Sequence, residues 1–201
     1  MFVILAVLLV VFIIAFISFL IWTRRMDLES FIKICQKKIQ RISRKNNLLC
    51  IPNLSISNYD REKLLINHVI FGKKYIYLIS DFMLKGFVSG EANDNSWVYY
   101  NNIKRKSVYI SNLNMISEKN MRDFSVILGI SPDPIVFICL VPNECDFKIN
   151  DRNDGKKIIA HYSSLAKKIK QCEKQEIGSL DQNQIYEQFK IIENKNNEER
   201  I

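Results

Sequence analysis

The 201-residue sequence predicts one mixed α/β domain, a sheet flanked by helices, behind a single N-terminal transmembrane helix. Three features predict it. Met1 to Trp22 carries no charged residue, segments of helical and strand periodicity follow in mixed order, and Ile135–Val141 (IVFICLV) is apolar at every position. A strand of that last kind is covered on both faces, which calls for helices above and below it.

The elements follow in order. At the helical rise per residue, residues 1–22 span about 33 Å, enough for a hydrocarbon core of about 30 Å. A cleaved signal peptide is the rival reading, but no basic residue precedes the run and its exit, Phe19-Leu20-Ile21-Trp22, is bulky throughout. Residues 24–49 hold eight basic residues against two acidic ones, leaving +2 of the chain's +8 for the rest. Basic flanks stay on the cytoplasmic side, so the expected topology is single-pass in the cell membrane, N-terminus outside and the bulk of the chain cytoplasmic.

Residues 23–47 read as a basic amphipathic juxtamembrane helix. Leu28, Phe31, Ile32, Ile34, Cys35, Ile39 and Ile42 mostly recur at three- and four-residue steps, with Lys33, Lys37, Lys38 and Arg41 between them. Arg24, Arg25 and those four cations are the candidate membrane-surface residues, expected to meet the bilayer's anionic head groups. The apolar stripe has two readings, insertion into the interface or packing on the domain behind it. Direct continuity with globular sequence favours packing.

Residues 48–176 form the expected α/β domain. Leu64–Phe71, Tyr75–Ile79, Gly86–Gly90, Trp97–Tyr100 and Lys104–Ile110 read as strands, with Gly72-Lys73-Lys74 as a turn. Met115–Leu128 has helical spacing and Ser131-Pro132-Asp133-Pro134 breaks the chain. Beyond the buried strand, Asn150–Gly155 reads as a loop, Lys157–Ala160 as a strand and Tyr162–Lys174 as a helix. Residues 177–201 supply a last helix, Asp181–Ile192, and a charged tail, Glu193–Arg200, expected to fray.

The chemistry offered is sparse. Five cysteines make an odd number with no CxxC pair, so buried thiols explain them better than disulfides or zinc. His68 lies between Asn67 and Val69 in an apolar strand and reads as a hydrogen-bonded strand histidine; His161 precedes a helix. No phosphate-loop, dinucleotide, nucleophile-elbow or zinc-protease motif is present. Asn101–Lys106 beside Tyr99 and Tyr100 offers cations and rings to nucleic acid, but a polar turn explains it as well.

One ordered set of motifs resembles a known family. Ile66-Asn67-His68-Val69-Ile70, then Tyr75–Ile79, then Lys85-Gly86-Phe87-Val88-Ser89-Gly90-Glu91 and Trp97 are similar to the NERD (nuclease-related) domain of the PD-(D/E)XK nuclease superfamily. The resemblance implies a restriction-endonuclease-like fold. It also implies an Asp-His step on one strand, a Glu-x-Lys end on the next, and a Gln in a later helix-opening segment. The departures fall on the chemistry: Asn67 stands for the Asp, Ser80 and Phe82 for the Glu and Lys, and Glu118 for the Gln. Mg²⁺ requires anionic oxygen ligands in octahedral array, which an amide, a hydroxyl and a phenyl ring do not supply.

The expectation is therefore a membrane-anchored, catalytically inactive module for interaction or scaffolding, with no catalytic residue, metal or other cofactor. It would have a protein partner at the membrane. The alternative is a Mg²⁺-dependent nuclease, or a non-cleaving nucleic-acid binder, with relocated groups. Asp81, Glu91 and Asp60 are the candidate acids and Lys85 the candidate cation. Period-two alternation turns Asp81 away from the Ser80 side unless a bulge intervenes.

Overall fold

A computed structural model describes residues 11–16, 28–57, 62–150, 155–176 and 180–199. Residues 11–16 are helical. Among the described residues no helix is long and apolar enough to cross a membrane, and most of the 1–22 run lies outside them.

The centre is a five-stranded sheet of β1 (Leu49–Ser57), β2 (Lys63–Phe71), β3 (Ile76–Asp81), β7 (Ile135–Val141) and β9 (Lys157–His161), in that order. The first three make an antiparallel meander, and β7 and β9 run parallel to β3. Alternation along β3 and β7 sends apolar side chains both ways. Tyr77, Ile79, Val136, Ile138 and Leu140 meet Phe31, Cys35, Ile39 and Ile42 of α1 (Leu28–Asn46) and Leu165, Ile169 and Cys172 of α3 (Leu165–Cys172). Ile76, Leu78, Ile135, Phe137, Cys139 and Val141 meet Met121, Phe124 and Leu128 of α2 (Leu113–Leu128) and Ile185, Phe189 and Ile192 of α4 (Gln182–Glu198). The chain is thus a mixed α/β fold with one helical layer on each side of this sheet. The stripe of α1 packs on the sheet, so the helix belongs to the same core as the strands.

Several differences from the sequence expectation are structural findings, and neither β1 nor a strand at Cys145–Asn150 is among the elements the sequence predicts. A second mixed sheet of β4 (Gly86–Glu91), β5 (Ser96–Asn101), β6 (Lys106–Ser111) and β8 (Cys145–Asn150) stands apart, in the order β6-β5-β4-β8. The chain leaves β3 through the irregular stretch 82–85 and enters β4 at Gly86, whose φ of 141° only glycine adopts readily. Its inner face adds Val88, Trp97, Tyr99 and Cys145 to the α2 side of the core. The strand expected at Lys104 begins at Lys106, because Arg105 takes a left-handed φ of 49° in the turn. The helix expected from Tyr162 opens with a 3₁₀ turn, Tyr162–Ser164. The tail expected to fray is helical to Glu198. Buried Asn196 accepts the Ser55 N–H at 3.0 Å and Glu199 accepts that of Ser57, so strand β1 holds the helix end in place.

Candidate functional site

Asn67, Ser80 and Phe82 lie where β2 parts from β3. The two strands pair from Phe71↔Ile76 to His68↔Ile79 and no further. Beyond that point the Asn67 side-chain carbonyl accepts the Asp81 backbone N–H at 2.9 Å, taking the place of a ladder acceptor. On the opposite side of β2, Asn53 sits between the pairs Pro52↔His68 and Leu54↔Ile66 with φ 51°, so β1 bends at the same level.

Along β3 the neighbours separate by face. Pairing with β7 is one-to-one through Ser80↔Cys139 and Asp81↔Leu140, which leaves no bulge. Ser80 therefore looks to the α2 side, where Cys139 meets Ser117 of α2 at 3.6 Å, and Phe82 packs on the same cluster. Asp81 looks to the α1 side. Its Oδ2 lies 2.8 Å from His68 Nε2, and both side chains are fully buried. Burial holds the Asp81 carboxyl above the usual carboxylate range, while its bond to His68 and the charge there oppose the shift. Burial first, then the neighbouring Asp81 carboxylate, pushes the Cys35 thiol of α1 up. His68 Nδ1 and Asp81 Oδ1 have no hydrogen-bond partner, which makes this a polar pair only half satisfied in an apolar layer.

The remaining candidates are dispersed. Glu118, on α2, is ion-paired with Lys157 of β9 at 2.7 Å. Glu91 ends β4 at a turn, its N–H donating to Asp94 Oδ2 at 3.0 Å and its carbonyl accepting from Trp97 Nε1 at 2.9 Å. Lys85 has both main-chain groups on the Tyr99 hydroxyl, at 2.9 and 3.0 Å. Tyr99 faces the core, so of the two rings beside the 101–106 turn only Tyr100 remains outward, and Asn101 Oδ1 caps that turn by accepting from Ile103 and Lys104 N–H. His161 Nε2 donates to the Cys145 carbonyl at 2.6 Å. Asp60, Arg24 and Arg25 lie outside the described residues.

The groups at the β2–β3 end are therefore an amide turned to the Asp81 backbone and, on the α2 side, a hydroxyl and a ring. They do not fit Mg²⁺, and the acid between the last two, Asp81, is bonded to His68 on the other face. Among the described residues no group of three His, Cys, Asp or Glu side chains is placed to hold a metal ion. The five cysteines are free, four of them buried, and burial pushes the Cys139 and Cys145 thiols up to about 12.

Cations show a different arrangement. Lys33, Lys37 and Arg41 lie on the exposed side of α1, and Lys33 pairs with Glu29 at 2.6 Å. Lys38 turns inward instead, donating to the Tyr162 carbonyl with its ammonium 3.9 Å from the centre of that ring. The sequence reading missed that Lys167 and Lys170 of α3 are exposed in the same layer. Their spacing against inward Leu165, Ile169 and Cys172 was the available signal.

A mixed α/β fold of two mixed sheets flanked by helices is the class the geometry defines. Comparison with family models, with curated proteins and with solved structures returns no match to this chain.

Proposed function

We propose that this protein is a membrane-tethered, non-catalytic member of the nuclease-related fold group, serving as an interaction or scaffolding module on the cytoplasmic face. The observation that carries the reading is the end of β3. Ser80 and Phe82 share the α2 side, Asn67 Oδ1 accepts the Asp81 N–H, and Asp81 is committed to His68 under α1, which supports a site without metal ligands. Two features support the rest: a mixed sheet between helical layers with the expected helix–meander–helix–strand order, and the uncharged run 1–22 as tether.

The test has two arms. The full chain should stay with the membrane fraction through alkaline carbonate extraction, and the detergent-purified protein should leave plasmid DNA intact with Mg²⁺ or Mn²⁺. Release by carbonate removes the tether, and cleavage abolished by Asp81→Ala removes the non-catalytic reading.

A further inference from the structure

We propose that the α1/α3 layer is a docking face for an anionic bilayer, and that the domain lies flat on the membrane with α1 and α3 against the head groups. The proposal deepens the tethered reading and rests on it. It starts from where the charge is. The segments α1 and α3 together carry nine basic residues and one acid, Glu29. The segments α2 and α4 carry four basic residues and five acids. The difference within the first layer, +8, equals the net charge of the whole chain.

Pairing sharpens the contrast. On the second layer Lys119 is held by Glu62 at 2.9 Å, Lys190 by Glu193 at 3.1 Å, and Lys195 donates to the Ile127 carbonyl at 3.2 Å. On the first layer Lys37, Arg41, Arg44, Lys45 and Lys170 have no acidic partner among the described residues. Their convergence is not confined to one helix. A groove of about 460 Å³ between the C-terminal half of α1 and α3 is lined by Arg41 and Lys45 of α1, Lys73 of the β2–β3 turn and Lys170 of α3. Its one acid, Glu173, is already held by the Tyr77 hydroxyl at 2.8 Å and the Lys73 N–H at 3.2 Å. Four cations brought together from three elements against the single Glu173 carboxylate leave the groove positive, which fits phosphate oxygens.

Two observations select a bilayer as the source of those phosphates. The uncharged run ends at Trp22 and α1 begins at Leu28, so only five residues join them. Five residues reach at most about 18 Å, which keeps this layer beside the membrane. Leu28 and Ile34 are also exposed on α1 among the cations, as apolar side chains suited to the head-group boundary. The pose follows from range. Helix α1 has 19 residues and is about 28 Å long, whereas attraction to surface charge decays over about 8 Å. Were α1 upright, only its first turns, with the Glu29–Lys33 pair, would feel the lipid. Lying flat brings the unpaired half and α3 into reach together.

The test is lysine reactivity in the full chain reconstituted into phosphatidylcholine vesicles with or without phosphatidylglycerol, using a membrane-impermeant acylating reagent and mass spectrometry. Lys37, Lys45, Lys167 and Lys170 should be protected in the anionic vesicles, by roughly fivefold for each residue seated at the surface. Lys119, Lys190 and Lys195 should react equally in both, and raised salt should remove the difference. The double change Lys37→Glu and Lys170→Glu should abolish protection of Lys45 and Lys167. Even reactivity on both layers in vesicle-bound protein overturns the docking face alone. Failure to incorporate into vesicles of either composition overturns the docking face and the tether together. Protection of the same lysines by added duplex DNA but not by anionic lipid assigns the face to nucleic acid and overturns the proposal.

Discussion

The two helical layers solve the same packing problem and differ in everything else. Each presses an apolar stripe on one face of the central sheet: Phe31, Cys35, Ile39 and Ile42 from α1, Met121, Phe124 and Leu128 from α2. Outward, α2 and α4 alternate acids with bases and pair several of them, whereas α1 and α3 expose cations with almost no acid. Inward, the α1 layer covers a pair of ionisable side chains, His68 and Asp81. The difference teaches that the inner stripe decides whether a helix belongs to the fold, and that the outer face is then free to carry a surface property. In α1 the two sides separate cleanly: the inner one packs on the sheet and the outer one exposes cations.

The hardest way to break the comparison is to attack what the layers share. Ile39 and Phe124 are each fully buried against opposite faces of the sheet. Ile39→Ala should cost about 2–5 kcal/mol and Phe124→Ala about 3–5 kcal/mol, through lost transfer energy and the cavity left behind. Urea midpoints should fall for both, with the circular-dichroism and tryptophan-fluorescence transitions still coincident. A midpoint for Ile39→Ala equal to that of the parent would mean that α1 is not part of the core.

The second effect belongs to the α1 layer alone. Because burial raises the Asp81 carboxyl above its ordinary value of 3.8, the folded state holds that proton more tightly than the unfolded chain does. The contribution is fully present below the unfolded value and is lost as pH rises through the raised folded value. Asp81→Asn removes the titration while leaving a side-chain oxygen and a donor beside His68. Stability measured from acid to neutral pH should therefore fall in the parent relative to Asp81→Asn as pH rises. A parent that instead gains stability relative to the variant over that range would show a depressed carboxyl, and hence a bond to His68 that outweighs burial.

How much of this was legible in the sequence depends on what fixes each feature. The all-apolar β7 and the β2 pattern are set by local composition, and both strands fall where periodicity puts them. Strand β8 was legible and went unread: Cys145, Phe147 and Ile149 alternate strictly with Asp146, Lys148 and Asn150. The parting of the two sheets was not legible, since it follows from a register that pairs Gly86 with Asn101 and Cys145 at once. The His68–Asp81 pair is likewise non-local. The two residues are 13 apart, and only the β2–β3 register puts their side chains on one face. Of the site, the chain order placed Asn67, Ser80 and Phe82 near one another, but no sequence pattern shows which acid faces which side. The basic layer was half visible, because Lys167 and Lys170 are distant from α1 in sequence and adjacent only after β9 and α3 are packed.

The smallest effect on stability is the most discriminating one for the outer face. Lys37 and Lys170 are exposed and have no acidic partner among the described residues, so Lys37→Ala and Lys170→Ala should each change folding stability by no more than about 0.5 kcal/mol. Like charges crowded on one layer repel one another, and removing one relaxes that repulsion, so any shift should be toward higher stability at low salt and vanish when salt is added. Lys190→Ala on the other layer removes an attraction to Glu193 instead and should shift the midpoint the opposite way, by a similarly small amount. Denaturation of the three variants at low and high salt separates the cases by sign. If Lys37→Ala and Lys190→Ala moved together, the two outer faces would be electrostatically alike, and the charge asymmetry on which the membrane-facing orientation rests would have no energetic consequence in the folded protein.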